Sequence, residues 1–219
     1  MAGENKHASR SAQTRLNFIQ TALKLYAERG IDAVSLNEIT VAAGQKNRNA
    51  LQYHFGDRNG LLQAIIDTHA NNVSRLRGVY AAQAAEALWT PAEASARVLI
   101  MPLADYAKSS PEGVYYLRLL SQRAIVNNNI TNPGTHSPLS FRREPELQRL
   151  MRQAMAHLKP AEAQRRMFLI VSMAFHSLAE ACRVVETQLG ARGLKNRQAM
   201  FEQVVCSIEA FIAAPARDK

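Results

Sequence analysis

The sequence predicts an all-α protein, and the patterns that predict it lie towards both ends of the chain. Near the N-terminus, Ser35 to Leu62 reads SLNEITVAAGQKNRNALQYHFGDRNGLL, with capping residues and glycines at the borders of short apolar-periodic segments. Near the C-terminus, Phe168, Val171, Phe175, Leu178, Cys182 and Val185 keep a strict three-four spacing, the seam pattern of a bundled helix. Past Ile66 the chain lacks the two-residue alternation of a half-buried strand.

The N-terminal elements follow from their borders. Ser35 and Glu38 have capping-box spacing, so the hydroxyl accepts from the backbone near Glu38 while that carboxylate reaches back. Leu36, Ile39 and Ala43 then form a narrow apolar stripe, and Gly44 stops the helix where a left-handed turn suits it. Asn47 is placed to cap a second helix that Gly56 ends. Asp57 is placed to cap a third, through Leu61, Leu62, Ile65 and Ile66. A short helix, a glycine turn and a polar-faced short helix make a helix-turn-helix, whose second helix enters the DNA major groove.

At about 100° per residue, Arg48, Asn49, Gln52 and Tyr53 fall on one half of the second helix. Ala50, Leu51, His54 and Phe55 fall on the other. The first set carries groove-reading chemistry, since Arg pairs bidentately with guanine and Asn or Gln with adenine; the second is a packed underside. A solvated helix face would be polar too, and the helix-turn-helix context favours reading. Around this face, Gln45, Lys46 and Asn47 occupy the turn, and Lys46 and Arg58 are candidate phosphate contacts. Ser35 and Thr40 stand beside them, with Ser35 already accounted for as a cap. Lys6, Arg10 and Arg15 belong to a polar arm that either follows the DNA backbone or is a disordered terminus.

These residues resemble a known family. AAG at Ala42 to Gly44, LQYHF at Leu51 to Phe55 and DRNGLL at Asp57 to Leu62 are similar to the DNA-binding signature of TetR-family transcriptional regulators. The likeness covers roughly Arg15 to Ile66 and includes RLNFIQTALKLYAERG, with Ile19, Ala22, Leu23 and Tyr26 on its buried side. Between Gly44 and Phe55 the chain has one residue more than most relatives, and Asn59 stands where many carry an acid. The resemblance implies a three-helix helix-turn-helix DNA-binding domain with its arm over residues 1–58, and a helical ligand-binding and dimerisation domain over 59–219. It implies a homodimer on a palindromic double-stranded operator and a small-molecule effector that releases a repressor.

Composition narrows the class. At 47% hydrophobic and 21% charged, the 219 residues suit an ordinary globular protein. No apolar run approaches a membrane-spanning length and the polar N-terminus lacks a signal peptide's hydrophobic stretch, so a cytoplasmic protein without a membrane partner is expected. Cys182 and Cys206 are too few for a disulfide framework or zinc cluster, and neither metal nor cofactor is expected. The net charge of +9 does not locate the site: residues 1–60 hold eight Lys or Arg against five acids, and most of the excess lies beyond them. Catalysis is not expected either, because the chain has no Gly-x-Ser-x-Gly elbow, phosphate-binding glycine loop or His-Glu-x-x-His pair.

Beyond the signature, a fourth helix runs from about Asn59 into the seventies, with Gly78 as a break. Pro91 opens a fifth, kinked at Pro102, and Pro111 and Gly113 separate it from VYYLRLLSQRAIV. A loop spans Asn127 to about Ser140. Pro145 or a neighbour opens a helix through Leu158, Pro160 one to about Leu189, and a last helix runs from about Asn196 to Ala213 after breaks at Gly190 and Gly193. Phe201, Val204, Val205, Ile208, Phe211 and Ile212 give that last helix a broad apolar face. With the seam at Phe168 to Val185, the last two long helices are wide enough to bury on two sides, and the resemblance makes them the dimer contact.

Met101, Tyr106, Tyr115, Tyr116, Leu119, Met151, Met155, Phe168, Met173 and His176 are the candidate lining of an adaptable apolar ligand pocket. Simple core is the blander reading of each. Arg118, Arg123, Arg142, Arg143, Arg149 and Arg152 would favour an anionic or acyl ligand or else form solvated helix faces, and His176 and Glu180 would take a polar ligand or metal or else make a satisfied core pair. The rival reading is a DNA-binding regulator or activator without a small-molecule ligand, controlled by a partner protein.

Overall fold

The computed structural model of the chain describes residues 2–123, 139, 144–187 and 194–216. Among the described residues are nine α-helices and no strand: α1 Ala2–Arg29, α2 Leu36–Ala42, α3 Ala50–Phe55, α4 Arg58–Glu86, α5 Pro91–Ser109, α6 Pro111–Arg123, α7 Pro145–Ala154, α8 Pro160–Thr187 and α9 Arg197–Ala213. The fold is all-α, a helix-turn-helix head on a helical body.

The borders form as local chemistry demands. The Ser35 hydroxyl accepts from Glu38 N at 3.2 Å and the Glu38 carboxylate accepts from Ser35 N at 2.8 Å. Asp57 accepts from Gly60 N at 2.8 Å, Thr90 from Glu93 N at 3.1 Å and Asn196 from Ala199 N at 3.1 Å. Gly44 and Gly56 take φ of 69° and 74°, the left-handed turns that end α2 and α3.

Several expectations were overridden, by local helix propensity in one case and by packing in others. The N-terminal arm is helical from Ala2, because no proline interrupts the chain and no glycine stands between Gly3 and Gly30. Gly78 breaks nothing: α4 runs on to Glu86, held along α5. α5 continues through Pro102, which lacks the N–H that would bond Val98 O; Arg77 Nε donates to that carbonyl instead, at 3.2 Å. α7 ends at Ala154, and Met155 to Leu158 form a turn in which Leu158 N reaches Met155 O at 3.0 Å. Pro160–Glu186 corrects the reading that no run is of membrane-spanning length: it is long and apolar enough by length and composition, and it packs on α6 and α9. The loop expected from Asn127 lies outside the described residues apart from buried Leu139, as do Gly190 and Gly193.

α5 is the axis of the body, packed against α4, α6, α7 and α9. Gly113 lets α6 pass close to it, since a Cβ there would come within 2.2 Å of Tyr106 O. Arg166 of α8 closes the end of α9, donating to Phe211 O at 3.2 Å and Pro215 O at 2.6 Å while pairing with Glu162 at 2.8 Å. α1 docks on α6 through Gln20, which donates to Glu112 at 3.0 Å, and at its end through Gln122, which donates to Tyr26 O at 2.9 Å and accepts from Ile31 N at 2.8 Å. The Gln122 amide ties the end of the first helix to the body.

Candidate functional site

The head is built on an apolar junction. Phe18, Ile19, Ala22, Leu23 and Tyr26 of α1, Ile39 of α2, Leu51 of α3 and Leu61, Leu62 and Ile65 of α4 are all buried. His54 and Phe55 lie half-buried at its edge, with ring centroids 6.0 and 6.1 Å from Phe18, and the Arg15 guanidinium sits 5.1 Å from the Phe55 ring. The Asn17 amide donates to Ala43 O at 2.9 Å, locking α1 against the turn. In α4, Gly60 is required by contact, because a Cβ would lie 1.9 Å from Phe55 O.

Above this base, Arg48, Asn49, Gln52 and Tyr53 are exposed while Leu51 is buried. Tyr53 is 83% exposed, which no packing role requires. The α-helix proper begins only at Ala50, so Arg48 and Asn49 sit in a turn before it rather than on its surface. Asn47 Oδ1 accepts from Asn49 N at 2.9 Å and stabilises that turn. Lys46 and Asn47 are exposed, and Gln45, half-buried, donates weakly to Ala43 O at 3.4 Å.

Two candidate residues, Thr40 and Arg58, are placed differently from expectation, and a third, Ser35, is used as the cap it was expected to be. Thr40 is 2% exposed, with its hydroxyl donated to Leu36 O at 2.8 Å, and does not reach the surface. Arg58 turns inward and its guanidinium donates to Ile31 O, so its charge is committed to the α1–α2 connection. Ser35 is exposed but serves the capping box. There its backbone N–H, with the Arg29 guanidinium, holds the Glu38 carboxyl at about 2.

In the body, Met101, Tyr106, Tyr116, Leu119, Met151 and Met155 are buried together, and Met173 is half-buried. Phe168, at 41% exposure, and exposed His176 lie on the outside of α8 and line no interior site. The reason is helical phase: Val171, Phe175, Leu178 and Cys182 face the chain's own body, which leaves the adjacent face outward. Tyr115 opens on a surface cleft apart from Tyr116. Of the arginines, Arg118 pairs with Glu186, and Arg149 with Glu146 at 2.6 Å; Arg142 and Arg143 lie outside the described residues. Among the described residues no group of three or more metal-binding side chains forms.

Sequence reading missed His69. It is 2% exposed, shares a 2.5 Å hydrogen bond through Nδ1 with the Tyr106 hydroxyl, and stacks on Tyr116 at 5.1 Å. Its Nε2 is buried without a partner. Burial pushes this imidazole below its usual 6.5, with the Glu112 carboxylate opposing. Nearby, buried Arg77 pairs with Glu144 at 2.9 Å, and Ser74 donates to the same carboxylate at 2.6 Å. A lone His inside a long helix carries no spacing signal, so only the fold shows it.

A three-helix head with an exposed polar second helix, carried on a helical body, has the build of a helix-turn-helix DNA-binding protein. Residues 18–65 match the model of bacterial regulatory proteins of the tetR family, so the head is similar to the DNA-binding part of those regulators. Over 78 residues it is 32% identical to the HTH-type transcriptional regulator AcrR of Shigella flexneri, a stretch that covers 36% of this chain and 36% of that relative. As a fold, 93% of the chain aligns with 96% of a TetR-family regulator from Streptomyces coelicolor A3, with a TM-score of 0.50 at 15% identity. It also aligns over 91% of its length with 98% of an ArpA-like gamma-butyrolactone receptor, at 20% identity and a TM-score of 0.49.

Proposed function

We propose that the chain is a homodimeric, sequence-specific repressor, cytoplasmic, that binds a palindromic operator and releases it when a small molecule enters the body. The exposed set Arg48, Asn49, Gln52 and Tyr53, standing on a buried Leu51, carries this reading. These side chains are exposed and, apart from the edge contact of Tyr53 with His54 at 5.2 Å, point to chemistry at base edges. Lys46 is the exposed phosphate contact. The domain border is taken at the start of α4, with the head over 1–58 and the regulatory domain over 59–219.

The mate is received on the outer face of α8 and α9. Leu169, Ser172, Met173, His176 and Glu180 share one side of α8 at three- and four-residue spacing, and Leu169 is 46% exposed. Gln203, Cys206, Ser207 and Ala210 give α9 a small-residue outer face that permits close approach. Two heads then meet two half-sites. The effector site is drawn around Tyr106, Tyr116 and Met101, where His69 Nε2 offers an unused polar atom.

Selection of bound sequences from a random duplex library tests the DNA reading. A recovered inverted repeat supports it, and recovery of no preferred sequence overturns it. Extraction of the purified protein, followed by mass spectrometry, identifies a co-purifying effector.

A further inference from the structure

A cleft of about 450 Å³ opens where five helices meet, lined by Glu28 of α1, Lys108 of α5, Tyr115 and Arg118 of α6, Glu186 of α8 and Arg197 of α9. It is separate from the Tyr106–Tyr116 region, and its size suits a small molecule. Its charges are unevenly spent. Arg118 pairs with Glu186 and Lys108 with Asp105, whereas Arg197 forms no ion pair among the described residues. The Nε atoms of both Arg118 and Arg197 are buried without a hydrogen-bond partner. An arginine that lines a cleft without an ion pair is open to a charged acceptor at its outer N–H groups. Pro111 and Arg197 are also the first residues of α6 and α9, so two positive helix ends flank the cleft. The opposing charge is Glu28, exposed on α1.

We propose that this cleft binds a small organic anion bearing a carboxylate or phosphate group, held by Arg197 and Arg118 with its body against Tyr115. The ligand would touch α1 of the head and four helices of the body at once. Occupancy therefore bears on how the head is held, independently of any effector at Tyr106 and Tyr116.

Calorimetric titration of the full-length protein with citrate and, separately, with inorganic pyrophosphate tests the site, with glycerol as the uncharged control. Saturable binding of either anion at one site per chain is expected, weakened at least tenfold by Arg197→Gln and absent for glycerol. Whichever anion binds more tightly fixes the headgroup. Lys46→Ala/Arg48→Ala keeps the binding, because those cations lie on the reading head. Arg118→Gln serves if Arg197→Gln fails to fold, judged by its helical circular dichroism. The proposal is overturned if neither anion saturates, if the folded cleft variant binds as well as the wild type, or if the Lys46/Arg48 variant abolishes binding. Operator selection does not involve the cleft, so failure here leaves the DNA reading standing.

Discussion

Arg77 Nε donates to Val98 O at 3.2 Å, and that carbonyl is the one Pro102 cannot serve. The same guanidinium pairs with Glu144 at 2.9 Å, so one buried side chain joins α4, α5 and the entry to α7. Removing one member of such a buried pair costs ~3–5 kcal/mol, and Glu144, with its side chain 23% exposed, rehydrates enough to favour the lower end. Arg77→Ala should lower the melting temperature by roughly 6–12 °C at ~2–4 °C per kcal/mol. A thermal midpoint equal to wild type would show that the carbonyl is satisfied without Arg77.

Arg48→Ala, Asn49→Ala and Gln52→Ala should each lose ~1–3 kcal/mol of discrimination at particular base pairs. Lys46→Ala should weaken binding to all sequences alike and reduce the salt slope by about one unit. Arg58→Ala differs: with its guanidinium on Ile31 O, it should lower stability and leave the salt slope near wild type. Affinities measured across an operator panel at several salt concentrations separate the three behaviours. A full unit lost from the slope in Arg58→Ala would put that side chain on phosphate.

Glycine to alanine inside a helix normally gains ~1 kcal/mol. At Gly60 the sign should reverse, because the new methyl would lie 1.9 Å from Phe55 O and force α3 away from α4. Chemical denaturation should show a less stable Gly60→Ala protein with weakened operator binding. Equal or greater stability would contradict the close approach.

His69 sets a pH dependence. Its folded pKa lies below 6.5, so on acidification the unfolded chain takes the proton first. Stability from this group is therefore intact above about pH 6.5 and declines as pH falls from there towards the folded pKa. Urea midpoints of wild type should drop between pH 7.5 and 5.5, and those of His69→Gln should drop less. Parallel curves for the two proteins would assign the acid response to other groups.

Dimerisation is best tested at Leu169. A charge at Ile208, which is buried at 1% exposure, would disrupt the monomer itself. Leu169→Glu should instead leave each chain folded, shift sedimentation to the monomer and weaken operator binding at least tenfold, because one head gives up the second half-site. A Leu169→Glu protein that still sediments as a dimer would move the interface to another face.

What the sequence made legible was local. Ser35, Asp57 and Pro91 act on their own neighbours, so they placed the starts of α2, α4 and α5, whereas Pro111, read as a separator before Val114, is the first residue of α6. The exposure of Gln52 and Tyr53 over buried Leu51 was equally readable, since a helix face needs only periodicity, whereas Arg48 and Asn49 stand in the turn before α3, which periodicity does not show. Long-range choices were not. Nothing near Thr40 or Arg58 in sequence says that Leu36 O and Ile31 O will take their donors. The seam from Val171 to Cys182 was visible, but a seam does not say whether the chain's own body or a mate fills it. Phe168 fell outside for that reason, and His69 emerged only once Tyr106 and Tyr116 were brought around it.

Gln122 holds Tyr26 O and Ile31 N with the two ends of one amide, across 96 and 91 residues of chain. A carboxylate in its place has no hydrogen to give Tyr26 O, so even the near-isosteric Gln122→Glu would release one of the two contacts. It also makes a single backbone amide a reporter. While the head is seated, the Ile31 N–H is shielded by an acceptor from α6, and when the head swings clear that proton becomes free to exchange with solvent deuterium. Hydrogen exchange at Ile31 would thus time the undocking of the reading head directly, without DNA, effector or label.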